Sequence, residues 1–509
     1  KNKMKEREKF LEEFPNKTIG NEKINDLLSY KKNSIWWFYK NRLEGDHLPN
    51  PLPKMEEIKN NKKTSKTKIF AMKKAFGINE KLKIHFSKKQ KINFNTNKKI
   101  LCLIPTIRKK GNYIDRIDKI LKEIDKKEDT NYKIEFFEAQ SKLTKLEKNN
   151  LFYRHLTKDI IKKSNSEAKK LNKQWNKIKK EITFKTNKEN KIFLNYIPTF
   201  DFLFSKEMLF SIISSYETFY KLLKENQINC VLLDSSGSII ERSMIKAASK
   251  LKIPCLRLLH GGLYLPTRKW DYPDNLYLCV PNIDVKERVI ELGAKEQNIF
   301  LTGATFLEDI PEKKEKKSER KQILFCTTSL IEESVMKKEK YFKIIENIVG
   351  TIKNIENTEL IIKLHPGEIH KEDYQKIIER LKLKNVKILQ KTTKKELYDL
   401  INESDLTISF YSTILLESNL TSTTTALITH EELTNTQQTR FNKNKAIIEL
   451  KYNEDPTKLI KNYLFDKEKI DSLKKPREEL IERFFYKLDN KMPERVMKVI
   501  QNLINSQFD

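Results

Sequence analysis

Lys363-Leu364-His365-Pro366-Gly367-Glu368 brings a cation, an imidazole and a turn-forming Pro-Gly pair together where the apolar run 359–364 (ELIIKL) ends. A ring N–H and the backbone N–H groups of such a turn can meet a diphosphate, with Lys363 adding charge near the strand end. An ordinary strand-to-loop turn uses Pro-Gly in the same way. Tyr411-Ser412-Thr413 follows a second apolar run, 405–410 (DLTISF), and opens helical pattern that contains Glu417. Ser412 or Thr413 is placed to cap that helix, whose N-terminal N–H groups would attract phosphate. Thr413 and Glu417 are four apart and share a helical face, which suits a hydroxyl for a phosphate and a carboxylate for a ribose diol. A plain cap beside a surface glutamate gives the same pattern.

Two further segments offer a general base. His260-Gly261-Gly262 comes after 254–259 (PCLRLL), and its glycines allow close ligand approach. A histidine at a strand's carboxyl end is the best base available near neutral pH. Its alternative is a turn histidine bonded to backbone. Asp234-Ser235-Ser236-Gly237-Ser238 comes after 229–234 (NCVLLD). Asp234 could act as a base or orient His260, while the Ser/Gly stretch could simply cap the next helix. Glu241 and Arg242, one turn on, are weaker candidates. His365 and His370 lie five apart, off a common helical face, and no cluster with metal-ligand spacing is evident.

These segments need elements to hold them. Apolar runs at 99–105, 191–197, 229–234, 254–259 and 276–280 read as strands, with helical pattern between several of them. The alternation restarts at 323–327 and continues through 359–364, 386–389, 405–410, 425–429 and 446–450. Strands alternating with helices of about a dozen residues signal βαβ units and a parallel sheet. The expected fold is therefore α/β, with two Rossmann-like parallel-sheet domains facing a crevice. The expected divisions are a helical or mixed region over 1–98, which includes an aromatic-rich segment at 34–42 (SIWWFYKNR), and a first domain over 99–308. A charged linker at 309–322, a second domain over 323–470 and C-terminal helices over 471–509 follow. Residues 113–190, rich in Lys, Glu and Asn with spaced Leu, Ile and Phe, read as a helical insertion of long charged helices. In open parallel sheets ligands bind beyond the carboxyl ends of the strands, where all four segments fall.

Composition narrows the class. Of 509 residues, 38% are hydrophobic and 34% charged, enough apolar material for real cores. Only 11 glycines are present, too few for propellers, sandwiches or Gly-rich phosphate loops. No stretch approaches the roughly 20 apolar residues that span a bilayer. Residues 1–10 show no apolar run after their basic residues, so a secretory signal is not expected there, and upstream residues are expected because no initiator Met is present. Five cysteines, Cys102, Cys230, Cys255, Cys279 and Cys326, form no CxxC and lie in apolar runs, which reads as buried thiols in a reducing, cytoplasmic compartment. The net charge of +31 attracts nucleic acid, anionic lipid or sugar phosphates. The lysines run nearly the whole length instead of forming one stripe with aromatics, which argues against nucleic acid as the partner.

A strand ending in His260-Gly261, a Thr302-Gly303-Ala304 turn before a charged break, Lys363–Pro366, and then strand, Ser412-Thr413, helix and Glu417 together form a set. It resembles the GT-B glycosyltransferases of surface-polysaccharide synthesis, including capsule, polysialyltransferase-like and CDP-glycerol glycerophosphotransferase-like proteins. The resemblance covers roughly 192–504, with weaker support from Trp36-Trp37. It implies a nucleotide-activated sugar held by the second half. Lys363, His365, Pro366, Gly367, Ser412 and Thr413 would lie at the donor phosphates and Glu417 at the ribose, with Gly261, Gly262 and Gly303 also lining substrate. It further implies His260 or Asp234 as base, no catalytic metal or cofactor beyond the donor, and a polysaccharide or lipid-linked acceptor met at the cytoplasmic face of an anionic membrane. The acidic-acidic-Gly motif of the polysialyltransferases is not found. Competing expectations are a polyol-phosphate transferase and a nucleotide-sugar 2-epimerase, although the acidic and arginine cluster of the latter is not apparent. A non-enzymatic scaffold or RNA-binding protein is the expectation of a different class.

Overall fold

The computed structural model describes residues 12–38, 98–104, 132–138, 150–151, 155–184, 197–233, 237–259, 272–303, 320–332, 335–410, 412–430 and 445–506, with Phe10, Ile120, Glu123 and Asn442. Two parallel sheets dominate. The first is built from β1 (Lys98–Ile104), β2 (Tyr132–Glu138), β3 (Asn150–Leu151), β4 (Cys230–Leu233), β5 (Cys255–Leu258), β6 (Leu276–Val280) and β7 (Ile299–Leu301). Their spatial order is β7-β6-β5-β4-β1-β2-β3. Strands such as β4 (CVLL) are buried on both faces, and such strands read as unbroken apolar runs. One face packs on α2 (Lys206–Glu225) and α3 (Ile239–Lys250), with α1 (Lys158–Phe184) laid outside α2.

The second sheet contains β8 (Lys321–Cys326), β9 (Thr358–Lys363), β10 (Val386–Leu389), β11 (Leu406–Ser409), β12 (Thr424–Thr429) and β13 (Ile448–Lys451). Its order is β10-β9-β8-β11-β12-β13, all parallel. Both sheets thus start in the middle and reverse direction once, between β1 and β4 and between β8 and β11. An open α/β sheet leaves a crevice at that reversal. Helices α5 (Lys338–Ile352) and α6 (Lys371–Arg380) cover one face of the second sheet, and α7 (Lys394–Glu403) and α8 (Ile414–Leu420) the other.

Several expectations need correction. The stretch 113–190 is not wholly helical: β2 pairs with β1 along seven residues, and β3 continues the sheet. Alternation of Tyr132, Ile134 and Phe136 with Lys133 and Glu135 was the strand signal, masked by surrounding charge. The strand expected over 191–197 lies outside the described residues except for Ile197, which opens a helix. The linker expected to reach residue 322 ends earlier, because Lys321 and Gln322 are already in β8. Residues 39–97 and 304–319 lie outside the described residues.

The terminal helices divide between the sheets. Leu480, Phe484 and Phe485 of α9 (Lys474–Phe485) join the core of the second sheet. Met492, Val496, Ile500, Leu503 and Ile504 of α10 (Met492–Asn505) instead pack on Ile100, Cys102, Cys230, Leu232 and Leu256 of the first. Between them, Arg483 donates from Nε to both carboxylate oxygens of the buried Asp284 at 2.7 Å, and Asp284 belongs to α4 (Ile283–Glu291). Arg495 Nε donates to the Thr302 carbonyl at 2.7 Å and its NH1 to Asp489 at 2.9 Å. Gly303, at φ +89°, lies beneath it, where an added Cβ would come within 3.1 Å of Arg495. Only glycine takes that backbone conformation without strain.

Near the N-terminus, Glu217 of α2 gathers the hairpin over 29–34. Its carboxylate accepts from Tyr30 Oη at 2.7 Å and pairs with Lys31 at 2.6 Å and Lys163 at 3.0 Å. Burial alone would raise the Glu217 carboxyl, but these three donors outweigh it and hold it below the usual range. Arg242, fully buried, donates to the Trp37 carbonyl, and its guanidinium stacks 4.8 Å from the Trp37 ring. The pair Trp36-Trp37 is thereby part of the first core.

The division of the last helices carries a prediction. Ile500→Ala should cost about 2–5 kcal/mol, as for buried Ile→Ala changes generally. Hydrogen exchange should show protection lost in β1 and β4 before β8; the reverse order would contradict the packing assigned to α10.

Candidate functional site

The carboxyl ends of three adjacent strands form the candidate site. Cys326 at the end of β8 is in register with Lys363 of β9 and Ser409 of β11, so Thr327, Leu364 and Phe410 come next, side by side. Three strands at about 4.8 Å spacing span about 10 Å. The sheet also reverses direction there.

Behind this edge lies a buried hydrogen-bond relay. Glu368 is 2% exposed and accepts from Thr327 Oγ1 at one carboxylate oxygen and from Tyr374 Oη at the other. Tyr341 Oη lies 3.0 Å from Tyr374 Oη and donates toward the Thr328 carbonyl at 3.2 Å. Thr327 Oγ1 in turn accepts the His365 N–H at 2.9 Å. The His365 main chain is therefore fixed through Thr327 to a carboxylate set between α5 and α6. Burial lifts the Glu368 carboxyl above the usual range, although Thr327 and Tyr374 pull it down.

His365 itself is exposed, and its Nδ1 accepts the Gly367 N–H at 3.1 Å. With Nδ1 accepting, the neutral ring carries its proton on Nε2. A Cβ on Gly367 would lie 3.3 Å from Nδ1, so glycine lets this turn close on the ring. Pro366, also exposed, holds the turn between them. The backbone N–H groups of the turn are not presented to a ligand as expected. Gly367 uses its own on His365, Glu368 on the His365 carbonyl, and Ile369 on Glu332. Lys363 differs as well: it is 7% exposed, and its Nζ donates to the Leu364 carbonyl at 2.6 Å. Burial lowers its pKa against the opposing influence of Cys326 and Glu368. Its charge shapes the turn from inside.

At the end of β11, Ser412 Oγ accepts from Ile414 N–H at 3.5 Å. Thr413 occupies the cap position in helical conformation and makes no side-chain cap bond. It lies four residues before Glu417, so the two share a face. The N–H groups of the first turn, Leu415 to Glu417, reach the carbonyls of Ser412 and Thr413. A seven-residue helix so closed offers a ligand hydroxyls in place of the N–H groups expected. Burial pushes the Glu417 carboxyl up to about 7, with Thr413 and Lys394 moderating it.

Thr327-Thr328-Ser329 went unnoticed in the sequence, yet it ends the central strand. Thr328 Oγ1 is buried and has no hydrogen-bond partner among the described residues. The signal was the same as at Ser412-Thr413: hydroxyls directly after a buried strand. Gly303 is not brought to this edge, since its neighbours are Arg495, Lys487 and Met492. Asp234, His260, Gly261 and Gly262 lie outside the described residues; β4 ends at Leu233, one residue before Asp234. Ser238 and Glu241 form a reciprocal helix cap at 3.2 and 2.7 Å, which gives that loop a structural role. All five cysteines are buried and none forms a disulfide. Among the described residues no group of three or more metal-ligating side chains is found. No described helix is long and apolar enough to cross a membrane.

Residues 276–480 match the family model of UDP-N-acetylglucosamine 2-epimerase. No curated protein matches the sequence. Among solved structures, the UDP-GlcNAc 2-epimerase from Neisseria meningitidis bound to UDP-GlcNAc is 12% identical, covers 79% of this chain and 100% of its own, and has a TM-score of 0.45. MurG of Acinetobacter baumannii is 10% identical, with coverage of 80% and 99% and a TM-score of 0.46. The lipopolysaccharide outer core galactosyltransferase WaaB in its apo form is 14% identical, with coverage of 80% and 99% and a TM-score of 0.46. In its two-sheet fold and its family match, the chain is similar to nucleotide-sugar enzymes of GT-B architecture.

The relay makes a prediction of its own. Glu368→Ala strands the hydroxyls of Thr327 and Tyr374 in the core and should destabilise the protein by about 3 kcal/mol or more, at roughly 1–3 kcal/mol per orphaned group. Glu368→Gln, which keeps an acceptor, should lose less than half of that in urea unfolding; equal losses would mean that the carboxylate is not the acceptor.

Proposed function

We propose that the protein is a glycosyltransferase of GT-B type that moves a sugar from a nucleotide-activated donor to an acceptor hydroxyl. The observation that carries the reading is the aligned edge at the reversal of the second sheet. It supplies the hydroxyls of Thr328, Ser412 and Thr413, the imidazole of His365 and the carboxyl of Glu417 within a few residues of one line. The family match spans the same half of the chain.

The donor phosphates would meet His365 Nε2–H and the Ser412 and Thr413 hydroxyls, and the ribose diol would donate to Glu417. The bond from the anomeric carbon to the phosphate oxygen breaks as the acceptor oxygen bonds that carbon. The acceptor proton passes to a base, for which His260 and Asp234 are the candidates, and the nucleotide leaves with its charge held by the His365 side. The reading requires no cofactor besides the donor. The acceptor is a surface polysaccharide of capsule type or its lipid-linked precursor, met at the cytoplasmic side of the membrane.

A second reading, nucleotide-sugar 2-epimerisation, is favoured by the family match itself. Incubation with UDP-N-acetylglucosamine separates the two. Transfer predicts UDP release that depends on added acceptor. The appearance of the 2-epimer without acceptor would replace it with epimerisation, CDP-glycerol turnover with a polyol-phosphate transferase, and no thermal shift with any nucleotide sugar would end both.

His365→Ala should weaken nucleotide binding by about tenfold or more in calorimetry, the cost of about one charge-assisted hydrogen bond. Glu417 gives a pH signature. A diol donates to the ionised carboxylate, so nucleotide affinity should fall as pH drops below about 7, the value to which burial raises this group. Glu417→Gln should flatten that dependence; a slope that survives would remove Glu417 from the ribose.

A further inference from the structure

Of the described helices, α1 carries the largest excess of positive charge. Helix α1 carries nine lysines against three acids, whereas α2 carries three of each and α9 four basic residues against three acidic. The excess in α1 is also sorted by face. At about 3.6 residues per turn, Lys158, Lys162, Lys169, Lys173 and Lys177 run along the side opposite Ile160, Ser164, Ala168, Leu171, Trp175 and Ile178. The first set is exposed and the second buried. Lys163 and Lys179, at the edges, pair with Glu217 at 3.0 Å and Asp201 at 2.8 Å. Among the described residues, none of the five ridge lysines has an ion-pair partner. The ridge is about 28 Å long at about 1.5 Å per residue.

We infer that α1 is a docking ridge for an anionic lipid bilayer. A straight row of ammonium groups on a convex helix matches a planar field of negative charge, and each lysine contributes separately to such attraction. Among the described side chains, the exposed side of α1 holds neither arginine forks nor aromatic rings, the groups that grip nucleic acid by base edge or stacking. Its apolar side is used up in the core, with Trp175 bonded to Asp201 at 2.8 Å and stacked on Phe204 at 4.9 Å. The helix therefore does not insert, and its binding is electrostatic and sensitive to salt. The inference uses no residue of the donor site and stands or falls apart from it.

Flotation of the full chain tests it, with vesicles of phosphatidylcholine alone or with a third phosphatidylglycerol. Binding should require the anionic lipid and disappear at about half-molar salt, where the screening length is only a few ångströms. The variant Lys162→Gln/Lys169→Gln/Lys173→Gln, confined to exposed positions, should lower vesicle partitioning by about a hundredfold. An equal change of charge at the exposed Lys343, Lys376 and Lys461 should alter it by less than about threefold if position and not net charge decides. Equal losses in the two variants, no binding to anionic vesicles, or a ridge variant that loses duplex RNA binding while keeping vesicle binding would each overturn the inference.

Discussion

One face of the first sheet is closed by the last helix of the chain. Ile100, Cys102, Cys230, Leu232 and Leu256 meet Met492, Val496 and Ile500, so a segment that follows the second sheet completes the core of the first. A parallel sheet needs cover on both faces, and α2 and α3 supply only one. The chain that supplies the other must first leave the second sheet, which explains the concentration of polar fastenings at the crossing. Arg483 grips Asp284, Arg495 holds the Thr302 carbonyl, and Gly303 leaves room for the guanidinium.

Inside the second half, the candidate site relies on a different kind of support. Its polar edge is made of small hydroxyls and one imidazole, which define little by themselves. Their positions come from strand register and from the buried carboxylate of Glu368, which ties β8, the His365 turn and two helices together. Rigid support beneath a sparse polar edge suits a ligand that supplies most of the charge itself. The shifts of Glu368 and Glu417 share a cause, burial, but differ in surroundings: Glu368 accepts from Thr327 and Tyr374, while Glu417 has Thr413 and, at longer range, Lys394.

The sheets were legible because buried parallel strands such as 230–233 and 323–326 are continuous apolar runs, a signal that needs no knowledge of neighbours. The strand at 132–138 was hidden for the opposite reason: charge alternates with its apolar residues and matches the flanking helical composition. At the site, the sequence showed which residues sit at strand ends but not what their neighbours would do to them. Lys363 was expected to add charge for a ligand near the strand end and is instead buried, its Nζ on the Leu364 carbonyl. The N–H groups of the His365 turn and of α8 looked available and were used locally, an outcome set by backbone geometry that spacing does not encode. Glu368 stood in the motif without a role, since both tyrosines that explain it come from other helices.

The return of the chain to its first sheet bears on how the protein is made. Strand β1 begins at Lys98, while the helix that covers it ends at Asn505. Domains generally fold as units during synthesis, with N-terminal ones first. Here the earlier half leaves the ribosome without the helix that completes one of its apolar faces, and waits for it until residues 492–505 have been translated. For that interval the nascent protein offers a surface to chaperones, and ribosomes that stop short would release a first half with its core still open.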